Sequence, residues 1–362
     1  GLSFGLLGVV TTLDDSSRWV DQMIKGKNRE YFVSRIKQDL FAGNSYIGFM
    51  STSSLVDTAH AFSIDGMANL SDNQVSIEGQ FVMNLDYQQG MYGSISFSPL
   101  GIFSGWIDYY RYDKGLDLND LGYLWRDDYT QTKLGVKLQS FGIGDMIRNA
   151  SIIIEGDKEE NSHGLDLGKT VELRCDLGFT NYWKMGGGLY KIIEHYDDRK
   201  IIHDYGKNEF GPPIFIPEVK GTHFNIITDK HQPLSATLIL TWAGNTRNDT
   251  ERAQYIELIY KPNSYLNFTI AYDRYRLIKQ YKEIESLIEW DTLCVLDTHN
   301  IFSDFDGKMD ILTFRTTANI NRKFSFQRFV ELFSNQDIYF QDWARQLRLL
   351  HQKKQYKAQL YF

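Results

Sequence analysis

The sequence is dominated by long segments in which apolar and polar residues alternate with a period of two. The segment 75–87, VSIEGQFVMNLDY, has apolar, aromatic or glycine residues at its odd positions and polar residues at its even positions, with Val82 as the exception. Successive side chains of a β-strand point to opposite faces, so this period predicts a strand with one apolar face. The pattern recurs over 171–179, 264–273 and 312–320, and no segment follows a helical period. The sequence therefore predicts an all-β fold.

The length of the strands distinguishes a membrane protein from a soluble one. Most predicted strands run about nine to fourteen residues, whereas strands of soluble proteins cluster near about 5–6 and a tilted strand that crosses a bilayer needs about 9–11. We predict about 18 strands, in a range of about 14 to 20, that form a transmembrane antiparallel up-and-down β-barrel. They are predicted near 2–12, 30–41, 45–55, 60–70, 74–86, 90–98, 102–112, 128–140, 148–156, 168–180, 183–195, 222–229, 233–243, 253–261, 264–278, 307–320, 323–335 and 355–362.

The predicted connections tend to alternate between long and short, as they do in outer-membrane barrels with extracellular loops and periplasmic turns. The long ones are 13–29, 113–127, 157–167, 196–221, 244–252, 279–306 and 336–354. Two of these, 196–221 and 279–306, are long enough to fold inward as a plug. We expect residues 1–362 to form a single barrel domain in a bacterial outer membrane.

The polar face of the predicted strands carries charges of both signs, which suit the hydrated lumen of a wide barrel. The residues predicted to face the lumen are Arg35, Lys37, Asp39, Glu78, Asp86, Glu172, Arg174, Asp176, Asp273 and Arg315. Those predicted to face lipid are Val75, Ile77, Phe81, Leu85, Val171, Leu173, Leu177 and Phe314. A soluble β-sandwich with one solvated face per sheet would show the same alternation. A soluble glycan-binding β protein therefore remains an alternative.

Three local features carry further expectations. The parity of apolar residues slips between Phe326 and Phe329, and a β-bulge near Gln327 would explain the slip. The run Gly186-Gly-Gly188 lies inside a strand and predicts a bend or a close approach by another backbone. Aromatic residues such as Trp106 and Tyr110 stand near strand ends, where they could anchor the chain at the membrane interface or stack on sugars.

Composition excludes several classes of protein. No apolar run approaches the roughly 18–20 residues of a membrane-spanning helix. The net charge is −7 with both signs interspersed, which argues against nucleic-acid binding. The two cysteines, Cys175 and Cys294, leave a disulfide open, although the apolar neighbours of Cys175 favour a small hydrophobic role.

No catalytic centre and no cofactor site is predicted. The densest histidine group, His195 and His203 with Asp197 and Asp198, is interpreted as a solvated loop in preference to a metal or acid–base site. Asp304, Asp306 and Asp310 are calcium candidates, although the glutamate expected in a calcium loop is missing and Asp-Gly is also a favoured turn. An outer-membrane hydrolase, with an active site at the loop end, remains an alternative.

The last eight residues, QYKAQLYF, alternate and end on an aromatic residue, with Tyr356, Ala358, Leu360 and Phe362 on one face. This resembles the C-terminal β-signal by which the outer-membrane assembly machinery recognises its substrates. Other stretches resemble the barrel region of Bacteroidota-type proteins in which a domain similar to carbohydrate-binding family nine precedes the barrel. The resemblance rests on residues 1–12, 31–40, 44–49, 62–66, 312–315 and 324–329.

That resemblance implies an outer-membrane barrel with at least one strand upstream of Gly1. The carbohydrate-binding domain is absent from these residues, so its glycan chemistry is not carried over to any position here. We expect a non-enzymatic barrel that conducts solutes, glycans among them, or that serves as the membrane part of an envelope complex. The expected partners are membrane lipid, lipopolysaccharide, the assembly machinery and other envelope proteins.

Overall fold

A computed structural model gives the architecture. It describes residues 1–11, 29–54, 59–99, 101–118, 124, 126–199, 202–204, 209–290, 296–319, 325–343 and 346–361. The described chain is almost entirely β-structure, with one 3-10 turn at Phe41–Gly43. Its strands are β1 Leu2–Thr11, β2 Arg29–Leu40, β3 Ser45–Ser54, β4 Ala59–Leu70, β5 Val75–Asn84, β6 Gln89–Phe97, β7 Phe103–Tyr112, β8 Tyr129–Ile143, β9 Ile147–Glu160, β10 Asp166–Phe179, β11 Lys184–Ile192, β12 His195–Asp197, β13 Ile202–Asp204, β14 Glu209–Phe210, β15 Ile214–Ile216, β16 Val219–Ile227, β17 Leu234–Asn245, β18 Thr250–Tyr260, β19 Leu266–Trp290, β20 Leu296–Asn319, β21 Ser325–Trp343 and β22 Gln346–Tyr361.

The chain divides into two compact units. The first comprises Gly1–Leu138 and Glu155–Gly168, and the second comprises Gln139–Ile154 and Lys169–Phe362. In the first unit, each strand from β1 to β8 pairs antiparallel with the next strand along the chain. In the second unit, β10, β11 and β16 to β22 pair in the same consecutive way. Each unit is therefore an up-and-down meander.

The prediction of an all-β, antiparallel, up-and-down fold is confirmed. Eighteen strands of the described chain are assigned to the large sheet, while β12 to β15 form two small two-stranded sheets. Each of the predicted strands overlaps one strand of the large sheet. Closure of the meanders into a barrel stays a prediction.

The predicted loop lengths were wrong on one side of the sheet. Residues 279–306, predicted as a loop, are mostly strand, because β19 continues to Trp290 and β20 begins at Leu296. Likewise, the loop predicted at 157–167 shrinks to 161–165, and most of 336–354 is strand, because β21 continues to Trp343 and β22 begins at Gln346. Apolar residues follow no regular period of two along these segments, so alternation gave no signal for the strand pairing there. The predicted loop 13–29 lies almost wholly outside the described residues.

The two faces of the strands differ in an unusual way. Large apolar side chains of one parity are exposed, as at Ile64 (52%), Val171 (52%) and Leu332 (50%). Among the described residues, glycine and proline aside, the buried set contains eleven polar or charged residues against eight apolar ones. Several of the buried polar residues are small hydroxyls, including Ser54, Ser63 and Ser235. This distribution is the reverse of the one that a soluble protein adopts in water.

The exposed apolar residues form continuous rows across neighbouring strands. Leu258 lies opposite Ile270, Ile270 lies opposite Phe314, and Phe314 lies opposite Val330. Along β17, the residues of this face run from Leu234 to Trp242, which spans roughly 27 Å of strand. With a tilt of about 40°, that length gives a band roughly 20 Å tall, close to the apolar band of outer-membrane barrels.

Two residue assignments need correction. Asp86 and Leu85 do not lie on the faces of a strand, because β5 ends at Asn84 and both follow in a turn. The Asn84 side chain closes this turn by accepting a hydrogen bond from the Gln88 backbone N–H at 3.0 Å. The strand ends here because Asn84 supplies the turn with a local partner and Tyr87 adopts a positive φ of 63°.

The predicted bulge near Gln327 is also absent from the β20–β21 ladder. The register runs without a shift from Asp304 opposite Phe340 to Asn319 opposite Ser325. Phe326 belongs to the exposed apolar face, whereas Phe329 shares the other face with Arg315. The parity slip in the sequence reflects a phenylalanine on the polar face, not an extra residue.

The turn between β16 and β17 is organised by one carboxylate. Asp229 accepts hydrogen bonds from the His231 backbone N–H at 2.9 Å and from the Gln232 side-chain amide at 3.1 Å, and its Oδ1 lies 2.7 Å from His231 Nδ1. The backbone hydrogen bond from His231, with the side-chain bonds, holds the pKa of Asp229 below its usual range. Ionised Asp229 therefore stabilises the turn at neutral pH.

We expect the contribution of Asp229 to be lost in acid. A carboxyl whose pKa is lower in the folded state stabilises the fold above its unfolded pKa, and this stabilisation disappears as the pH falls through the folded pKa. The wild type should be more stable than Asp229→Asn at pH 7, and the difference should shrink below about pH 4. Urea unfolding of both proteins across this range measures it, and a pH-independent difference would contradict the assignment.

Two further features of the chain concern its helices and its cysteines. Among the described residues, no helix is long and apolar enough to cross a membrane. Cys175 is a free, exposed thiol, and Cys294 lies outside the described residues.

Candidate functional site: the polar face of the sheet

The residues predicted to face the lumen share the polar face of the strands, Asp86 excepted. In the first unit these are Arg35, Lys37 and Asp39 on β2 and Glu78 on β5; in the second they are Glu172, Arg174 and Asp176 on β10, Asp273 on β19 and Arg315 on β20. The residues predicted to face lipid lie on the opposite face, Leu85 excepted. That the polar face lines a lumen stays a prediction at this point.

One ion pair of the polar face joins two strands that are not neighbours. Arg35 on β2 and Asp65 on β4 form an ion pair with a distance of 2.6 Å between Nη2 and Oδ2. Gly48 on β3 lies between them, and a Cβ there would come within 2.8 Å of Asp65 Oδ1 and 3.2 Å of Arg35 Nη2. The pair therefore passes directly over the glycine. Asp65 is almost buried, whereas the Arg35 side chain is 42% exposed.

Other charged groups on this face are paired with near neighbours. Lys37 lies 3.3 Å from Asp39 and 4.4 Å from the ring centroid of Tyr46. In the second unit, Arg174 lies 3.5 Å from Asp176, and His223 lies 3.8 Å from Glu172. These contacts form a surface of mixed charge, which is suited to water and hydrophilic solutes.

Glycines on the polar face make room for larger neighbours. A Cβ at Gly186 would lie 2.5 Å from Asp176 Oδ1 and 3.0 Å from Asn225 Oδ1. The triple glycine is thus explained by the close approach of neighbouring groups, and β11 continues through it. A Cβ at Gly135 would overlap the ring of Trp106, so the indole lies across the strand at that point.

An aromatic patch occupies the polar face of β5 to β8 in the first unit. Tyr92 and Tyr110 are directly opposite, with ring centroids 4.8 Å apart and an interplanar angle of 30°. Gln80 lies beside Tyr92, and Gln131 lies beside Tyr110. The Gln131 amide donates a hydrogen bond to Glu159 at 2.9 Å. Aromatic faces beside amides and carboxylates are what a sugar-binding surface needs.

The connection between β7 and β8 folds onto this same face. Leu116, only 2% exposed, approaches Gly90, where a Cβ would lie 3.0 Å from Leu116 Cδ2. Asp128 at the end of the connection accepts a 2.8 Å hydrogen bond from the Ser162 backbone N–H. Burial raises the pKa of Asp128, but the hydrogen bonds from Ser162, together with nearby basic groups, outweigh burial and leave the pKa below its usual value. This connection was not among the predicted plugs, and Trp125 within it lies outside the described residues.

The second unit has a cavity of about 290 Å³ at the loop end of its polar face. Tyr190, Ala243 and Glu251 line it from the strands, and His195 and Pro217 line it from the connection after β11. His195 Nδ1 lies 2.9 Å from the Ile193 carbonyl oxygen. Part of the predicted plug 196–221 therefore borders the end of the polar face. Blocking of a lumen by this segment stays a prediction.

The histidine group predicted in this connection is only partly described. The side chain of His203 lies outside the described residues, and Asp197 accepts a hydrogen bond from the Arg199 backbone N–H at 3.0 Å. Within the described part of the chain, no group of three or more histidine, cysteine, aspartate or glutamate residues has the spacing of a metal site.

The calcium candidates lie on a strand and not in a loop. Asp304, Asp306 and Asp310 are spread along β20, so an ion-binding loop is not formed. Asp306 accepts a 2.7 Å hydrogen bond from the Lys279 backbone N–H. Asp310 lies 2.8 Å from Lys308 and accepts a 2.7 Å hydrogen bond from the Tyr272 hydroxyl. This geometry gives calcium no support.

The C-terminal segment predicted as an assembly signal forms strand β22 through Tyr361. The side chains of Tyr356, Ala358 and Leu360, and all of Phe362, lie outside the described residues. The assembly signal therefore stays a prediction.

The sequence did not identify Gly48, Asp65 and Tyr92, which take part in the contacts of the polar face described above. Each belongs to a strand that was predicted, but its partner is known only once the register between strands is known. The one available signal was a glycine at a polar-face position, which indicates a close approach.

Comparisons with known proteins identify no family for this chain. No protein-family model matches the chain, and no curated protein matches it. Among solved structures, a match is found to a double mutant of the Serratia marcescens hemophore receptor HasR in complex with its hemophore HasA and heme. The identity is 8% and the TM-score is 0.34; the match covers 91% of this chain and 65% of the receptor chain, which is less than two thirds of it. A similarity at this level carries no argument about function.

Proposed function

We propose that this chain forms a membrane-spanning β-barrel in a bacterial outer membrane and conducts hydrophilic solutes through a polar interior. The observation that carries the proposal is the inverted distribution of side chains. Leucine, isoleucine and phenylalanine residues of one face are exposed in continuous rows, while serine, threonine and an ion-paired aspartate are buried on the other.

Lipid contact explains the exposed face better than water does. Moving a leucine-sized side chain out of water contributes about 1.5–3 kcal/mol, and dozens of such side chains are exposed here. A soluble glycan-binding protein would have to bury them in a core. A meander whose neighbouring strands pair in chain order can close into a barrel, and closure leaves no strand edge in lipid.

The polar face supports conduction of solutes, glycans included. Its mixed charges pair with each other and leave the surface wettable, and the Tyr92–Tyr110 patch offers aromatic faces beside Gln80 and Gln131. Sugars combine apolar ring faces with hydroxyls, so they match both parts of this patch. A barrel that serves an envelope complex without conducting would not need the aromatic patch.

Planar-bilayer recordings of the purified protein test the proposal. We expect open-channel steps, and we expect maltohexaose, as a linear oligosaccharide probe, to reduce the current reversibly. Silence from protein that has inserted into the bilayer would contradict conduction and favour the barrel of an envelope complex.

Tyr110→Ala should weaken the block of the current by maltohexaose by about 2- to 10-fold, because one stacking ring is lost. Tyr109→Ala is the matched control, since Tyr109 is the adjacent residue on the apolar face and is 36% exposed there. If both substitutions weaken the block equally, or if neither weakens it, a sugar-binding role for the patch is contradicted.

A further inference from the structure

A row of basic residues borders the apolar face of the second unit on the side of the long connections. Lys191 on β11 lies opposite Lys220 on β16, and Arg252 on β18 lies opposite Arg276 on β19, which in turn lies opposite Lys308 on β20. We call these five residues the basic row. The five basic residues lie on the same face of the strands as the exposed apolar residues. Along each strand, the nearest apolar residue of that face is two to four positions away.

Like charges directly opposite each other in a sheet are destabilising unless an anion lies between them. For the lysines, the anion is Glu218, which lies 2.6 Å from Lys191 and 3.0 Å from Lys220. Hydrogen bonds from both lysines hold the pKa of Glu218 below its usual value, so this carboxylate is charged. For Lys308, the anion is Asp310 at 2.8 Å.

Arg252 and Arg276 have no such partner. Within the described part of the chain, neither guanidinium makes an ion pair or a side-chain hydrogen bond, and both side chains are exposed. The two arginines are direct neighbours, so their repulsion is not compensated by the protein itself. An anion from outside the chain would therefore relieve this repulsion.

A depression of about 440 Å³ adjoins Arg252, which lines it together with Lys220 and Trp242. Two carboxylates also line it: Glu218, which is already paired with Lys191 and Lys220, and Asp249, which accepts a hydrogen bond from the Asn245 side-chain amide. Trp242 is 43% exposed, and Leu240 next to it on the same face is 38% exposed. An anionic group in the depression would thus lie directly above apolar side chains.

We propose that the basic row binds the phosphate groups of lipid A in the outer leaflet, with Arg252 and Arg276 as the principal contacts. The inference rests on the proposed membrane-spanning function. Lipid A joins phosphates to acyl chains, and the row joins unpaired guanidinium groups to apolar rows on adjacent strand positions. Guanidinium groups bind phosphate through two parallel hydrogen bonds, which favours arginine over lysine for this contact.

Binding of lipid A to the detergent-solubilised protein, followed by native mass spectrometry in the presence of EDTA, tests the site. The variant is Arg252→Gln/Arg276→Gln. The matched control is Arg174→Gln/Arg315→Gln, which removes the same charge from the polar face of the same unit. We expect the first variant to bind lipid A about 10- to 30-fold more weakly and the control to bind as the wild type does.

Dephosphorylated lipid A separates phosphate recognition from simple contact with acyl chains. We expect dephosphorylated lipid A to bind the wild type and the Arg252→Gln/Arg276→Gln variant equally weakly. If it binds the wild type as strongly as phosphorylated lipid A does, the proposal is overturned. Equal loss in both charge variants would also overturn it, because it would indicate non-specific attraction. Displacement of lipid A by millimolar inorganic phosphate alone would assign the arginines to a free anion instead.

Failure of this site can be told apart from failure of the proposed function. A protein that inserts and conducts but does not discriminate between the two forms of lipid A contradicts the site alone. A protein that does not insert into bilayers contradicts the membrane-spanning function, whatever it binds in detergent.

Discussion

Replacing Ile270 by arginine should lower the stability of the membrane-inserted protein by about 2–4 kcal/mol, the cost of a cation on the lipid face near the middle of the bilayer. Ile270 is 47% exposed and lies in the row formed with Leu258 and Phe314. If that row faces lipid, the new guanidinium has no water and no partner there. Reversible urea unfolding in liposomes measures the change.

Ala271→Arg is the matched control for this experiment. Ala271 is the next residue of the same strand, points to the opposite face, and lies opposite Glu257 on β18. A cation there meets a carboxylate and solvent, so we expect a change below about 1 kcal/mol. If the two substitutions cost the same, or if Ala271→Arg costs more, the assignment of lipid to the apolar face fails.

Removing the cation from the Arg35–Asp65 pair should destabilise the first unit by about 2 kcal/mol. Arg35→Met leaves the nearly buried carboxylate of Asp65 without its partner, and an unpaired buried charge typically costs about 3–5 kcal/mol. We expect the lower figure because the Arg35 side chain is 42% exposed. Urea unfolding in detergent micelles measures the loss.

Two comparisons make this prediction specific. The double variant Arg35→Met/Asp65→Leu removes both charges and should recover most of the lost stability, since no uncompensated charge remains. Lys37→Met is the control two residues away on the same face, and its partner Asp39 is 30% exposed, so its loss should be small. No recovery in the double variant would mean that Arg35 acts through packing and not through its charge.

The fold could be predicted from the sequence because one repeated pattern locates the strands of the large sheet. Wherever an apolar face exists, as along 75–84 or 171–177, the period of two locates a strand without knowledge of its neighbours. Where apolar residues follow no regular period of two, the pattern gives no signal although the strand pairing continues. That is why 279–290 and 296–306 were predicted as loop and are strand.

The contacts of the polar face could be predicted only in part. Arg35, Lys37 and Asp39 were recognised because charges on a strand face stand out. Asp65 was not, because its partner lies two strands away and the intervening Gly48 is what allows them to meet. Such an arrangement depends on the register of three strands, which a single sequence does not specify.

The same reasoning explains the error at Phe329. A phenylalanine on a polar face looks like a slip in register, yet the guanidinium carbon of Arg315 lies 5.3 Å from its ring centroid. The cation–π contact makes an aromatic residue a reasonable neighbour for a charged one. The expectation that this face carries only polar residues was therefore wrong at Phe329.

The hairpin of β19 and β20 extends well past its neighbour on one side. The β18–β19 ladder ends at Thr250 opposite Ile278, whereas β19 pairs with β20 as far as Trp290 opposite Leu296. The part of β19 beyond Ile278 spans roughly 40 Å at about 3.3 Å per residue. Along it, the backbone amides and carbonyls of one edge have no ladder partner among the described strands. Such an edge is a template on which a strand of another molecule can pair.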